Sequence, residues 1–396
     1  MKSPPVLEIS NASDLEDFCR RHLGVSPIGF DTEFVRERTY YPRLEIVQIV
    51  ADGAIAVIDT QAVDRLEPLW DLLCDERIEK IVHSGKQDME LILQESGRLP
   101  RPVFDVQIAA SLLGFGSQCG YSRLVSEVLR KRIPKGETFS DWSRRPLHRD
   151  QVAYAAKDVE HLPALRDALG RLLEEKGRHL WADEECAHLT DPETFRKLPP
   201  DECFQKIKGR TGLDPESLSV LRSLAEWREL EAQERDVPPG RVVGDHVLLS
   251  IAKSAPEDLE ELKRQRGLYK NELARRGAAI LAAVRRGIEK ARDEPVTRPL
   301  GRVRSDLDGE GLHRILAAVV QIKADEAGVS PSVLATTQHL RSLATGSGEE
   351  DPDGVPLLHG WRRDIAGEAV LSVLAGRTAI RIDPVTRALR LEEVDG

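Results

Sequence analysis

Five side chains, four carboxylates and one phenol, could do chemistry together. Phe30-Asp31-Thr32-Glu33-Phe34 sets two acids at i and i+2 of an apolar run. On a strand that spacing turns both to one face, about 7 Å apart along it. Ile81-Val82-His83-Ser84-Gly85-Lys86-Gln87-Asp88 reads as a strand entering a turn and then a helix, with Asp88 in the first helical turn. Tyr154-Ala155-Ala156-Lys157-Asp158 has helical spacing, which puts the phenol and the carboxylate on one face. Taken singly, each has an ordinary explanation. Asp31 and Glu33 could sit on a solvated edge strand, Asp88 could stabilise a helix dipole by about 0.3–1 kcal/mol, and Tyr154 could simply pack beside an exposed Asp158.

Together they form an ordered set that resembles the three exonuclease motifs of the DEDD superfamily, in the subclass whose third motif carries tyrosine. The chemistry is coherent. Hydrolysis of a phosphodiester needs an activated water, stabilisation of added negative charge and help for the leaving oxygen, and two divalent ions about 3.5–4 Å apart supply all three. Clustered carboxylates are the hard-oxygen cage that Mg2+ or Mn2+ prefers, and they repel one another strongly without it. The resemblance implies that Asp31 bridges both cations, that Glu33 and Asp158 complete the first site, and that Asp88 holds the second, partly through water. It implies that Tyr154 orients the attacking water. A phenol titrates near pH 10, so orientation is favoured over outright base catalysis.

Longer segments narrow the resemblance to the ribonuclease D family. Asp31-Thr32-Glu33-Phe34-Val35-Arg36-Glu37-Arg38-Thr39-Tyr40-Tyr41-Pro42-Arg43-Leu44 is similar to that family's extended first motif, Thr-Tyr-Tyr-Pro element included. Asp141-Trp142-Ser143-Arg144-Arg145-Pro146-Leu147 resembles the D-W-x-x-R-P-L segment preceding its third motif. Lys157, where an acid is frequent, and Glu45, where an apolar strand residue is usual, depart from the pattern without touching a ligand position. Residues Leu221 to Leu262 resemble an HRDC domain, with Trp227-Arg228, Val237-Pro238 and Pro256-Glu257-Asp258-Leu259; Leu357-Leu358-x-Gly360-Trp361-Arg362 resembles the ending of a second. The glycine- and acid-rich Thr345 to Gly354 departs from a compact helix. The implied fold is α/β, a ribonuclease H-like mixed-sheet exonuclease domain followed by two all-α HRDC-like bundles. The implied activity is 3′–5′ exoribonuclease, acting on precursor tRNA 3′ ends.

The elements needed to position these residues are legible. Ile28 to Phe34, Leu44 to Val50 and Ala54 to Ile58 read as strands, the last two joined across the hairpin signal Asp52-Gly53. A helix near Leu66 to Leu73 precedes a strand at Lys80 to His83, after which helical spacing dominates. Strands alternating with helices imply a mixed sheet in an α/β sandwich. Past Lys176 the strand signal vanishes until Arg377 to Val394, which alternates around Asp383-Pro384 as a terminal hairpin. The expected divisions are residues 1–178 for the exonuclease domain, 179–212 for a connecting arm and 213–293 for the first HRDC domain. A linker at 294–308, a second HRDC-like domain at 309–377 and a C-terminal hairpin or tail at 378–396 follow. The recurrence of Trp-Arg at Trp227-Arg228 and Trp361-Arg362 suggests a diverged repeat.

Composition limits the alternatives. A chain of 396 residues exceeds one ordinary core, and 40% hydrophobic with 31% charged residues is the balance of a globular protein in water. No apolar run is long enough to span a bilayer, and MKSPPVLEIS lacks the zones of a signal peptide, so a cytoplasmic protein is expected; the sequence is silent on oligomeric state, and a monomer is the expectation taken. The five cysteines show no C-x-x-C pair and read as free thiols. A net charge of −10 means that contact with a polyanion must be local. Arg36, Arg38, Tyr40 and Tyr41 could cradle terminal nucleotides by charge and stacking. Lys263, Arg264, Arg266 and Lys270 open a basic stretch that could guide RNA phosphates, and would serve equally well as solvated helix faces. A DNA exonuclease of the same superfamily and a non-catalytic nucleic-acid scaffold are the competing readings.

Overall fold

A six-stranded sheet carries Asp31 and Glu33 in the computed structural model, which describes residues 5–133, 141–268, 270–293, 306–346 and 354–394. Its strands are β1 (Val6–Ile9), β2 (Ile28–Val35), β3 (Arg43–Ala51), β4 (Ala54–Asp59), β5 (Lys80–Val82) and β6 (Val103–Asp105), in the order β1-β4-β3-β2-β5-β6. β3 and β4 are the expected hairpin. Asp52 (φ 45°) and Gly53 (φ 73°) both take the left-handed backbone that its tight turn requires, and Val47 pairs with Ile58. β1 runs parallel to β4, β2 to β5 and β5 to β6, so the sheet is mixed. β2 lies inside it, with β5 pairing to it at Ile28 and Gly29, and Asp31 and Glu33 beyond that register are half-buried, unlike fully solvated edge-strand acids.

Helices α1 (Ala12–His22), α2 (Glu67–Leu73), α3 (Lys86–Ser96), α4 (Val106–Leu112), α5 (Tyr121–Leu129), α6 (Arg149–Glu160), α7 (Leu162–Glu175) and α8 (His179–Ala187) complete this part of the chain. β1, α1 and β6 were not among the elements expected from the sequence. Leu162, Leu165, Leu169 and Leu173 recur at helical spacing along α7, each at most 1% exposed, and pack into one core with Val50, Ile81 and Phe104 of the sheet. Gly29 makes that packing possible. A Cβ there would stand 2.7 Å from Val50 Cγ1 and 2.9 Å from Leu162 Cβ. α6 starts with a capping box, in which the His148 ring accepts from the Asp150 N–H and the Gln151 side chain accepts from the His148 N–H.

The chain divides into two compact units, and the division does not follow chain order. One comprises Phe34–Leu44 with Phe195–Gly301. Its helices are α9 (Pro215–Glu234), α10 (Pro239–Val242), α11 (Asp245–Ser254), α12 (Leu259–Lys263) and α13 (Lys270–Asp293), around a core that includes Leu221, Leu224, Leu248, Ile251, Ile280 and Val284. α9 and α13 approach so closely that a Cβ at Gly287 would lie 2.5 Å from Val220 Cα. The 34–44 segment is held within this unit. The Tyr40 hydroxyl donates to Glu229 Oε1 (2.5 Å) and accepts from Gln233 Nε2 (3.0 Å), and Asp236 accepts the N–H groups of Tyr40 and Tyr41.

The other unit comprises Met1–Glu33, Glu45–Thr194 and Arg302–Gly396, so the sheet shares it with the C-terminal helices. Those are α14 (Asp306–Ala327), α15 (Pro331–Leu334), α16 (Thr337–Thr345) and the consecutive segments Gly360–Arg362, Arg363–Gly367 and Glu368–Leu374, the middle one in π geometry. The expected hairpin follows as β7 (Thr378–Ile382) and β8 (Leu389–Glu393). Arg178 Nη1 donates to the carbonyls of Leu112 (2.6 Å) and Gly328 (3.1 Å), Trp181 stacks on Trp361 at 4.5 Å, and Arg362 pairs with Glu185. α8, which opens the segment expected as a connecting arm, buries Ala182 and Cys186 in this unit. The expected linker falls on residues outside the described ones up to α14, as does most of the stretch from Thr345 to Gly354. Among the described residues no helix is long and apolar enough to cross a membrane, and all five cysteines are free thiols.

Candidate active site

β2, α3 and α6 each deliver part of one acidic cluster. Asp31 and Glu33 project from β2, and Asp158 and Tyr154 from α6. One carboxylate oxygen from each of Asp31, Glu33 and Asp158 lies within 4.8 Å of the other two. Asp88, in the first turn of α3 and 6% exposed, stands apart from that triplet and accepts a hydrogen bond from the Thr32 hydroxyl, between the two β2 acids. Its charge is still felt at Asp31 and Glu33. Gln48 on β3 donates from Nε2 to Asp31 Oδ2 at 3.4 Å, leaving its own buried Oε1 without a hydrogen-bond partner.

Burial and mutual repulsion set the protonation of the cluster. Burial, then the charges of Asp88, Asp158 and Glu33, hold Asp31 well above the usual carboxylate range. Glu33 is pushed up to about 8 by burial and then by Asp158 and Asp88. Asp158 rises to about 6 through burial, opposed by the Tyr154 hydroxyl bond and the nearby Lys157. Asp88 also rises to about 6, burial again leading, opposed by Thr32. Such a cluster is under electrostatic strain as soon as it ionises, and a divalent cation relieves it. All the donors are hard oxygens, so the residues fit Mg2+ or Mn2+ and would not select a softer ion.

Tyr154 is raised too, by burial and then by the charges of Asp158, Glu33 and Asp31. It is therefore a neutral phenol at ordinary pH and acts as a hydrogen-bond group. Trp142 is 3% exposed, with its ring 6.1 Å from that of Tyr154. The loop bearing Trp142 is fastened by Arg145, which pairs bidentately with Asp59 (2.5 and 2.7 Å), reaches Glu45 Oε2 at 3.4 Å, and donates to the Trp142 carbonyl at 2.6 Å. Glu45 is fully buried, so its departure from an apolar residue is matched by a cation.

The residues suggested for RNA contact belong to the unit of α9–α13. Arg36 and Arg38 are exposed, and the Arg36 guanidinium lies 5.7 Å from the Phe34 ring centre. Tyr41 is exposed, with Lys197 Nζ 4.7 Å from its ring centre, whereas the Tyr40 hydroxyl is engaged by Glu229 and Gln233. Lys263 pairs with Glu260, Arg264 and Arg266 are exposed, and the side chain of Lys270 lies outside the described ones. Thr32, Gln48, Asp105 and Arg145 surround or support the cluster and were not singled out as site residues. The signal for Asp105 was present: an Asp directly before the apolar run Val106 to Leu112 is a helix N-cap pattern.

Known proteins match along most of the chain. A family model described as 3′-5′ exonuclease matches residues 6–174, and an HRDC domain model matches residues 217–284. A protein of Granulibacter bethesdensis named Ribonuclease D is 39% identical over 95% of this chain and 94% of its own length. One of Nitrobacter hamburgensis with the same name is 37% identical over 97% of this chain and 99% of its own. The crystal structure of Escherichia coli RNase D, described as an exoribonuclease involved in structured RNA processing, superposes with a TM-score of 0.83 at 29% identity, covering 94% of this chain and 99% of that one.

Proposed function

The chain belongs to the ribonuclease D family of 3′–5′ exoribonucleases, and from that premise we propose that it trims RNA from the 3′ end one nucleotide at a time, releasing 5′-monophosphates. The observation that carries the reading is the convergence of Asp31, Glu33 and Asp158 oxygens within 4.8 Å, on an interior strand and the helix beside it. Asp31, Glu33 and Asp158 would hold one divalent cation, and Asp31 with Asp88 a second. When bound, two such cations supply an activated nucleophile, neutralise charge added to the phosphate and assist the leaving 3′ oxygen.

The protein's own groups do the rest. Thr32 fixes the rotamer of Asp88 and Gln48 that of Asp31, so the ligands are preorganised. Tyr154, kept neutral by burial and by its acidic neighbours, orients the attacking water through its hydroxyl. Arg36, Arg38, Tyr40 and the exposed Tyr41 contact the terminal nucleotides by charge and stacking, and Lys263, Arg264, Arg266 and Lys270 contact RNA phosphates. Residues 1–178 then form the exonuclease domain and 179–212 a connecting arm. The first HRDC domain occupies 213–293, the linker 294–308, the second HRDC-like domain 309–377 and the terminal hairpin 378–396. The substrate is precursor tRNA carrying extra 3′ nucleotides, met by a monomer in the cytoplasm.

A 5′-labelled tRNA with a 3′ extension tests this directly. With Mg2+ the band should descend in single-nucleotide steps, and chelator should stop it. Equal or faster trimming of a DNA strand of the same sequence would instead favour a DNA exonuclease.

A further inference from the structure

Asp105 closes β6 and opens α4, is 2% exposed, and has no part in the reaction as described. Its Oδ1 accepts the backbone N–H groups of Gln107 (2.7 Å) and Ile108 (3.3 Å), as an N-cap does. The same carboxylate reaches a second element. Oδ1 also accepts from Ser84 N–H at 3.1 Å, and Oδ2 accepts from Gly85 N–H at 2.9 Å. Those two residues form the turn from β5 into α3, and three residues farther on is Asp88.

That turn has a shape the chain does not favour by itself. Ser84 sits at φ 60°, the left-handed region that side chains other than glycine avoid. Gly85 has no room for a side chain, since a Cβ would lie 2.5 Å from Val82 Cγ2. On its other side the His83 ring, through Nε2, is 2.9 Å from the Cys119 carbonyl. The Asp105 carboxylate is thus the acceptor that satisfies the two turn amides, and both of its oxygens are needed. An asparagine could still cap α4 through Oδ1, but its amide nitrogen would face the Gly85 N–H, donor against donor.

We propose that Asp105 is a positioning residue for the cation site: by pinning the β5–α3 turn to the start of α4, it fixes where α3 presents Asp88. The inference rests on Asp88 being a cation ligand. Partners that orient ligands without touching the ion typically contribute ten- to a hundredfold to affinity. Asp105 differs from an ordinary helix cap because half of its hydrogen bonds go to the turn that carries the ligand.

Calorimetric titration of the full chain with Mn2+ alone reads this without relying on catalysis. Asp105→Asn should bind Mn2+ at least roughly tenfold more weakly than wild type while its far-UV circular dichroism is unchanged. Asp105→Ser, which keeps a capping hydroxyl but cannot reach Gly85, should do the same and serves should the asparagine variant fail to fold. Ile9→Ala, a buried truncation on the opposite edge of the sheet, should bind like wild type. Wild-type binding in folded Asp105→Asn or Asp105→Ser, or an equal loss in Ile9→Ala, overturns the proposal. Asp88→Asn separates it from its premise. If that variant binds weakly while the Asp105 variants bind normally, the pin alone is wrong, and if it binds normally, the ligand role of Asp88 falls and the proposal with it.

Discussion

Replacing Glu33 by Gln should stabilise the cation-free protein and reduce what a cation can add. Burial and the charges of Asp158 and Asp88 carry the Glu33 carboxyl from 4.5 to about 8. Between those values the folded state holds more protons than the unfolded one. Stability from this group therefore falls as pH rises through the window, and the whole penalty applies above it. A rise of that size is equivalent to about 5 kcal/mol at ~1.36 kcal/mol per pH unit. Charge shared among coupled acids and partial exposure reduce the expected gain to about 2 kcal/mol. For a unit of this size, at ~2.1 cal/mol/K of unfolding entropy per residue, that is about 3–4 °C in Tm. Thermal melts in chelator should show the variant and wild type converging toward about pH 5 and diverging toward about pH 8, with Glu33→Gln the more stable. Adding Mg2+ should then raise the wild-type Tm more, because the variant has lost a charged ligand. A variant that melts at or below wild type at the higher pH, in chelator, would refute the picture of crowded, mutually repelling carboxylates.

Three further substitutions probe the supports. Tyr154→Phe should lower kcat by about ten- to a hundredfold without abolishing Mn2+ binding, since the hydroxyl bonds Asp158 and not a cation; undiminished turnover would remove its role in orienting water. Arg145→Met removes the guanidinium that pairs with the buried carboxylates of Asp59 and Glu45 and should cost about 3–5 kcal/mol in urea unfolding, whereas a loss below about 1 kcal/mol would mean the clamp contributes little. Gly29→Ala drives a Cβ into Val50 and Leu162, costing about 1–3 kcal/mol and displacing β2 two residues before Asp31. Its kcat should fall along with its stability, and unchanged values of both would contradict the close packing of α7 on β2.

The acids were legible because their spacing matched elements with strong local signals: an apolar strand, a strand-to-helix junction and a long amphipathic helix. Asp52-Gly53 specified its hairpin for the same reason, through backbone angles that few residue pairs accept. β1 and β6 were not legible. They have four and three residues, too few for a period, and they exist because β4 and β5 offer them parallel partners. α1 carried a readable cap in Asn11, whose side chain accepts from Asp14 N–H, ahead of only eleven residues. Asp105 illustrates a deeper limit. Its N-cap role is local and visible, while its hold on Ser84 and Gly85 depends on a contact across twenty residues that no spacing rule encodes. The same holds for Arg178, Trp181 and Arg362, whose partners lie up to 180 residues away and draw the C-terminal helices into the unit of the sheet.

The central claim is that one cage of carboxylates, with Asp31 at its centre, holds the cations that cleave RNA. Single-turnover cleavage of a 5′-labelled RNA by Asp31→Asn, in chelator-treated buffer with Mg2+ restored, tests it most directly, with circular dichroism to verify the fold. A folded protein with cleavage at background is the predicted result. A folded variant that retains most of the wild-type rate would contradict it.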